Sequence, residues 1–252
     1  MKTESKVDKL AIGGLVLIIF IVLIPAFFPV SHHGRAGDKM QAKLEMSAIA
    51  QAIEAYHQEY GRMPVSPEVQ ATAKTGDFTY GAIIKAPDLP MPIGTCLDGN
   101  AVLNSEVVSI LIDFTNFPGD RRRSTVNTNH CLNPQQTKFL NARMTADDHS
   151  SSVGPDLVYR DPWGTPYFIT LDINEDGKCD DVLYRKRMIS QMNGGGAAGY
   201  HGLSNNIDAG GNGNHFQYSG QVMVWSAGPD RKINFNVPAD QGENRDNIIS
   251  WP

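Results

Sequence analysis

Cysteine is scarce in this 252-residue chain, and its scarcity excludes two classes of small protein. Cys96, Cys131 and Cys179 are too few and too widely spaced for a zinc knuckle or for a scaffold held by several disulfides. An oxidising compartment would allow one bridge, between Cys96 and Cys131, and would leave Cys179 as a free thiol. With 41% hydrophobic residues, the chain is able to build an ordinary packed core instead.

An excess of positive charge is also missing. The formal net charge is -5, and no basic tract is longer than the three residues Arg121 to Arg123. A protein that binds the phosphate backbone of DNA or RNA needs a broad basic surface. We therefore predict no nucleic-acid partner.

The sequence lacks the motifs of the common catalytic sites. It contains no G-x-S-x-G, no phosphate-binding P-loop and no H-E-x-x-H. Gly194 to Gly199 fits G-x-G-x-x-G, but polar residues and a further glycine follow it where a dinucleotide site needs a helix. These absences predict that the chain is not an enzyme.

One long hydrophobic run stands near the N-terminus. Leu10 to Val30 contains no charged residue and would span about 31 Å as a helix, which is enough to cross a bilayer. Lys2, Lys6 and Lys9 precede it, as in a cleaved signal peptide, but no small-x-small cleavage site follows it. We therefore predict a retained transmembrane anchor over residues 10–30, preceded by a tail of nine residues.

A second helix is predicted within residues 31–64, with Asp38 as its N-cap and with Gly61 and Pro64 ending it. Apolar residues recur there at spacings of four and three, which places them on one face of a helix. We expect this face to pack on the protein's own sheet. The residues of this stripe are Ala42, Met46, Ile49, Ile53, Tyr56 and Tyr60.

The rest of the chain has weaker signals. Residues 65–156 form a mixed stretch, whereas residues 157–252 carry short β-branched or aromatic segments that indicate an antiparallel sheet. Glu106 to Phe114 fits either a helix or a buried strand. The remaining predictions are a short helix over Pro134 to Ala142, loops over Met144 to Pro155 and Asn193 to Asn214, and strands over Tyr167 to Leu171, Val182 to Tyr184 and Gln221 to Trp225.

A candidate calcium turn follows the first of these strands. Asp172, Asn174 and Asp176, with Gly177 after them, match the first half of an EF-type loop, and Asp180 takes its ninth position. The twelfth position, where a glutamate normally completes the coordination, is leucine, and strands rather than helices flank the turn. A hydrated acidic turn without an ion explains the same residues, so both interpretations stay open.

Four short motifs, taken in order, resemble those of the major pseudopilin of type II secretion systems, a member of the type IV pilin-like class. They follow the hydrophobic N-terminal helix and cover parts of residues 10–64 and 159–251. The motifs are EYGRMP at Glu59 to Pro64, DPWGTPY at Asp161 to Tyr167, VWSAGPD at Val224 to Asp230 and DNIISW at Asp246 to Trp251.

The resemblance implies an α+β fold, with a long N-terminal helix packed on a small antiparallel sheet and with residues 65–156 inserted between them. It also implies a single-pass protein of the inner membrane, with residues 1–9 in the cytoplasm and the body in the periplasm. Copies would assemble into a fibre that drives protein secretion, with a secretion platform, minor pseudopilins and prepilin peptidase as partners. A calcium site in the C-terminal loop would use Asp230 and Asp246.

The sequence departs from the family pattern at the cleavage site. Gly13 and Gly14 supply the glycine, but Ile19 stands where family members have an acidic residue. This departure leaves open a second function, that of a membrane-anchored periplasmic protein of the same fold that does not polymerise and that binds calcium, an envelope polymer or another protein.

Overall fold

The computed structural model describes residues 35–73, 76–81, 103–192, 198–206 and 215–252. The predicted anchor, Gly13, Gly14 and Cys96 lie outside these ranges, so the predictions about them stay predictions. Within these ranges no helix has the length and apolar character that crossing a membrane requires. The predicted α+β class is confirmed, because one long helix accompanies a small antiparallel sheet.

Helix α1 spans Arg35–Tyr60 and is about 39 Å long at 1.5 Å per residue. The prediction that Asp38 caps it is wrong, since the helix begins three residues earlier. Asp38 instead lies in the first turn, where its carboxylate interacts favourably with the helix dipole. Gly61 ends the helix as predicted: its φ is 63°, and its N–H donates to His57 O over 2.8 Å.

The apolar stripe of α1 packs against the body of the protein, as predicted. Ala42, Met46, Ile49, Ile53 and Tyr56 have no exposed surface. They belong to one hydrophobic cluster with alternate residues of the sheet, including Ile169 and Val224. Each fully buried Ile or Met side chain contributes about 1.5–3 kcal/mol of hydrophobic stabilisation, so this stripe is a main source of the stability of the fold.

The sheet has four antiparallel strands in the order β1, β6, β9, β10. The predicted strands Tyr167 to Leu171 and Gln221 to Trp225 match its two central strands to within one residue at each end. The strand at one border, β1, comes from residues 65–156, and the strand at the other border, β10, comes from the DNIISW motif. The strands are β1 Phe78–Tyr80, β6 Phe168–Leu171, β9 Val222–Ser226 and β10 Ile248–Ile249.

The two faces of the sheet carry different clusters, because successive strand residues point to opposite sides. One face meets the stripe of α1, and the other is covered by an aromatic cluster. Phe168 and Trp225 stack there with ring centroids 3.9 Å apart, and Tyr184 meets both Trp225 and Trp251 edge to face. The fold therefore has two cores on either side of one sheet.

Short elements complete the described chain. The segment Glu106 to Phe114, which fitted either a helix or a strand, is helical as far as Leu111. These elements are α2 Pro67–Gln70, α3 Ser105–Leu111, β2 Asn116–Phe117, β3 Asp120–Ser124, β4 Ser152–Val153, β5 Tyr159–Arg160, α4 Arg187–Ser190, β7 Ser204–Asn206 and β8 His215–Gln217, with 3-10 turns at Thr128–His130, Tyr200–Gly202 and Gly242–Asp246.

The helix predicted over Pro134 to Ala142 is wrong, because this segment is extended and irregular. The buried Asn133 side chain takes the hydrogen-bonding groups of the backbone that a helix would use. Its Oδ1 accepts from Thr137 N over 3.1 Å, and its Nδ2 donates to Thr137 O over 2.7 Å. Side-chain bonds of this kind compete with helix formation.

The strand predicted over Val182 to Tyr184 is also wrong, since these residues form a turn. Asp181 Oδ1 accepts from the backbone N–H groups of Leu183 and Tyr184 over 2.9 and 3.0 Å, which curls the chain. The loop prediction over Asn193 to Asn214 is wrong for Ser204–Asn206, which pairs with β8.

Candidate functional site

The acidic turn, residues 172–180, is closed by its own side chains. Asp172 is fully buried, and its two carboxylate oxygens accept from Asp176 N over 3.1 Å and from Gly177 N over 2.9 Å. Asn174 Oδ1 also accepts from Asp176 N, over 3.1 Å. Three of the predicted ligands are therefore brought together, and their oxygens satisfy the N–H groups of the turn.

Backbone conformation explains why this sequence makes a tight turn. Glu175 and Gly177 have φ of 59° and 78°, in the left-handed region that glycine adopts freely. Asp176 Oδ1 then accepts from Lys178 N over 2.9 Å. Burial raises the pKa of Asp172, although the bonds from Gly177 and Asp176 act in the opposite direction. Hydrogen bonds thus order the turn.

A carboxylate that the sequence did not point to joins this turn. Asp180 N donates to Asp77 Oδ2 over 2.7 Å, which brings together two residues 103 positions apart. Asp77 Oδ1 and Asp180 Oδ1 are buried and have no hydrogen-bond partner among the described residues. Asp180 Oδ2 lies 3.5 Å from His215 Nε2.

This arrangement favours protonation of Asp77. Burial is the main cause that raises its pKa to about 7; the bond from Asp180 N acts in the opposite direction, and the charges of Asp172, Asp180 and Asp176 raise it further. Burial likewise raises the pKa of Asp180, while His215 and Arg185 lower it. Buried carboxylates that lie close together repel one another, and a bound proton or cation relieves this repulsion.

Stability should therefore depend on pH through Asp77. The folded chain holds this proton more tightly than the unfolded chain, so the contribution is present at low pH and is lost as pH rises from about 4 to about 7. Because the carboxyl group is only partly buried, solvent screening limits the loss to about 1–2 kcal/mol. Denaturant unfolding between pH 4 and 8 measures it.

Asp77→Asn is the matched variant, since its amide keeps one acceptor and does not ionise. The free energy of unfolding of the variant, relative to that of the parent, should rise up to about pH 7 and then stay constant. A constant difference over this range would contradict the assignment.

Calcium has no preformed cage in the described ranges. No group of three or more His, Cys, Asp or Glu residues there is arranged to hold a metal ion. Each carboxylate oxygen that accepts a backbone N–H in the acidic turn keeps a second lone pair with which it could bind an ion. Calcium therefore stays a prediction for this turn.

The second predicted ligand pair lies in the C-terminal loop. Asp246 Oδ2 accepts from Asp230 N over 3.1 Å, and Asp230 Oδ1 accepts from Lys232 N over 2.8 Å. No hydrogen bond or ion pair between described residues joins this pair to the acidic turn. The structure thus brings Asp230 and Asp246 together as neighbours within one loop.

Asn244 orders the C-terminal loop, and sequence reasoning missed it. This fully buried side chain donates to Asn234 O and Val237 O, both over 2.7 Å, and accepts from Asn234 N over 3.0 Å. The only sequence signal is an asparagine within a polar stretch, which is typical of surface loops. These hydrogen bonds hold the loop together, and calcium in the loop stays a prediction.

The DPWG corner is built around Asp161. Its Oδ1 accepts from Trp163 N over 3.0 Å and Thr165 N over 2.8 Å, and its Oδ2 accepts from Ser226 Oγ over 2.6 Å. Burial raises the pKa of Asp161 to about 6, while these three bonds lower it. Trp163 is partly buried and packs against the core that includes α1. These contacts give the corner a structural role.

The two described cysteines differ in environment. Cys131 is exposed, and its Sγ lies 3.3 Å from Val126 O. Cys179 is fully buried under the sheet, and burial raises the pKa of its thiol. The predicted bridge from Cys131 to Cys96 stays a prediction.

Comparisons with protein-family models, with curated proteins and with solved structures returned no match.

Proposed function

We propose that this chain is a pilin-like structural subunit with no catalytic step of its own. The segment Leu10 to Val30 anchors it in the inner membrane, and the body lies in the periplasm. Copies assemble into a fibre of the type II secretion or type IV pilus kind, which drives protein secretion. The secretion platform, minor pseudopilins and prepilin peptidase are its proposed partners.

One observation carries this proposal: three of the motifs that resemble the pseudopilin meet in space. Asp161 of DPWGTPY accepts from Ser226 of VWSAGPD. Ile248 of DNIISW pairs with the same Ser226, and Ile249 pairs with Trp225. Segments far apart in the sequence therefore form one corner of the sheet, as expected if the motifs belong to one structural unit.

The long helix supports the same proposal. The buried stripe of α1 gives the body a fixed attachment to a helix whose sequence continues, toward the N-terminus, into the predicted anchor. The body is thus packed on the helix that directly follows the predicted anchor in the sequence, as the resemblance to the pseudopilin implies.

Cysteine cross-linking in membranes tests the fibre. In a Cys96→Ser, Cys131→Ser background, Val16→Cys and Ile21→Cys together should give a ladder of oxidised multimers, because anchors in a fibre are close neighbours. Thr3→Cys, in the predicted cytoplasmic tail, is the matched control and should give much less product. Monomers alone from the anchor pair would contradict assembly.

Mass measurement of the N-terminus complements this experiment. Cleavage after Gly13 or Gly14 would show that prepilin peptidase accepts Ile19 in place of the acidic residue. An intact N-terminus would favour a body that stays anchored as a monomer.

The second candidate is a non-polymerising, anchored protein that binds calcium or an envelope component. The unpartnered oxygens of Asp77 and Asp180 favour it, since a divalent ion would compensate their charge. In calorimetric titration of the full chain, calcium should release or absorb heat that is lost in Asp172→Ala and in Asp176→Ala. Glu68→Ala, which removes an exposed carboxylate elsewhere, should keep the full signal.

The C-terminal pair needs its own variant. Loss of the calcium signal in Asp230→Ala, with the signal kept in Asp172→Ala, would move the site to the C-terminal loop. Equal heats in all four variants would reject both sites.

A further inference from the structure

A cleft with a basic rim lies along the β10 border of the sheet. It encloses about 390 Å³, a volume suited to a small group or to a protruding turn. Lys39 and Lys43 of α1 and Arg245 stand on its rim, while Ile249 and Trp251 line its apolar part. Asp246 also lines the cleft and offsets only part of the positive charge.

The two lysines act from one side of the cleft. They are four residues apart on α1, so their side chains neighbour each other on the helix surface. Both are exposed, and Arg245 is exposed as well. Lys39, Lys43 and Arg245 form no ion pair with any described residue. The rim therefore presents net positive charge to a partner, since the single carboxylate of Asp246 offsets only part of it.

The acidic turn lies at one end of the same sheet, where β6 finishes, and Asp172 N donates there to Gln221 O, directly before β9. It follows β6, and its Asp180 is bonded to Asp77, which directly precedes the border strand β1. Glu175 and Asp176 are exposed at its tip, and Lys178 offsets part of their charge. Two strand spacings, about 10 Å, separate β6 from β10, beside which the cleft lies.

We infer that the basic cleft receives the acidic turn of a second copy of this chain. The carboxylates of Glu175 and Asp176 would meet the rim formed by Lys39, Lys43 and Arg245. Complementary charge on two different surfaces of one body gives a head-to-tail contact, which repeats from copy to copy and generates an open filament or a ring. This inference rests on the proposed assembly and specifies which surfaces assemble.

Cysteines placed beside the charges test the contact without removing them. In the full chain with Cys96→Ser and Cys131→Ser, one tagged copy carries Ile249→Cys in the cleft and a differently tagged copy carries Asn174→Cys in the turn. Mild oxidation of membranes that contain both should give a mixed dimer. Ser150→Cys, in another exposed acidic loop, replaces Asn174→Cys in the control and should give at least fivefold less.

Charge reversal then tests whether attraction between opposite charges causes the contact. Glu175→Lys with Asp176→Lys should reduce the mixed dimer at least fivefold, and Lys39→Glu with Lys43→Glu on the other copy should restore it. If Ile249→Cys impairs folding, Met40→Cys, at an exposed position between the two lysines, serves in its place.

The outcomes separate this contact from the fibre. An anchor ladder without the mixed dimer would leave the fibre standing and overturn the contact. A mixed dimer without an anchor ladder would keep the contact and reject the fibre. Equal yields from the turn and the Ser150→Cys control, or no restoration by the second reversal, would also overturn the contact.

Discussion

Asp181→Ala should lower the free energy of unfolding by about 3–5 kcal/mol. Asp181 is fully buried and accepts hydrogen bonds from four donors, all of which would lose this acceptor. Its Oδ1 binds Leu183 N and Tyr184 N, and its Oδ2 binds Thr170 Oγ1 over 2.6 Å and Trp225 Nε1 over 2.9 Å. Denaturant unfolding followed by circular dichroism measures the loss.

Two further variants show whether the loss comes from these bonds. Asp181→Asn keeps the size of the side chain and one acceptor oxygen, so it should lose less than Asp181→Ala. Glu54→Ala removes an exposed carboxylate from α1 and should change stability by under about 0.5 kcal/mol. A loss below 1 kcal/mol for Asp181→Ala would contradict the role assigned to Asp181.

Gly228→Ala should detach the C-terminal loop and cost about 3 kcal/mol or more. Gly228 has a φ of 69°, and an added Cβ would stand 2.2 Å from the backbone oxygen of Asp246. Alanine is strained at this φ, and the clash is with backbone that cannot rotate away. Limited proteolysis should cut residues 231–245 much faster in the variant than in the parent.

Gly61→Ala is the matched control for backbone strain. Its φ is 63°, but nothing lies within 4 Å of the added Cβ. It should therefore cost only the conformational penalty, about 1–2 kcal/mol, and leave the rate of cleavage in the loop unchanged. Equal effects of the two substitutions would show that the contact with Asp246 is unimportant.

Periodic patterns allowed the largest elements to be predicted from the sequence. The stripe from Ala42 to Tyr56 sets both the existence of α1 and its buried face, because a spacing of four and three fits only a helix. Strands β6 and β9 are also recognisable, since their β-branched and aromatic residues are bounded by turns. These features depend on neighbours in the sequence.

The remaining elements depend on contacts between distant residues. Strands β1 and β10 have three and two residues, so pairing with the central strands defines them. Asn133 and Asp181 override local propensity through side-chain bonds to the backbone.

The candidate site was only half predictable for the same reason. The spacing of Asp172, Asn174 and Asp176 indicates a turn with converging oxygens, and the structure has that turn. The contact between Asp77 and Asp180 joins residues 103 positions apart, and no local pattern indicates it. The basic cleft likewise combines α1 with the last residues of the chain.

The short border strands of the sheet make it a poor template for amyloid growth. Among the described residues, the sheet ends in strands of only three and two residues, which expose few free backbone donors and acceptors. Cross-β stacking needs longer, flatter templates than these. Irreversible aggregation of neighbouring copies would then be disfavoured. An ordered polymer would depend on side-chain contacts, and its assembly would therefore be reversible.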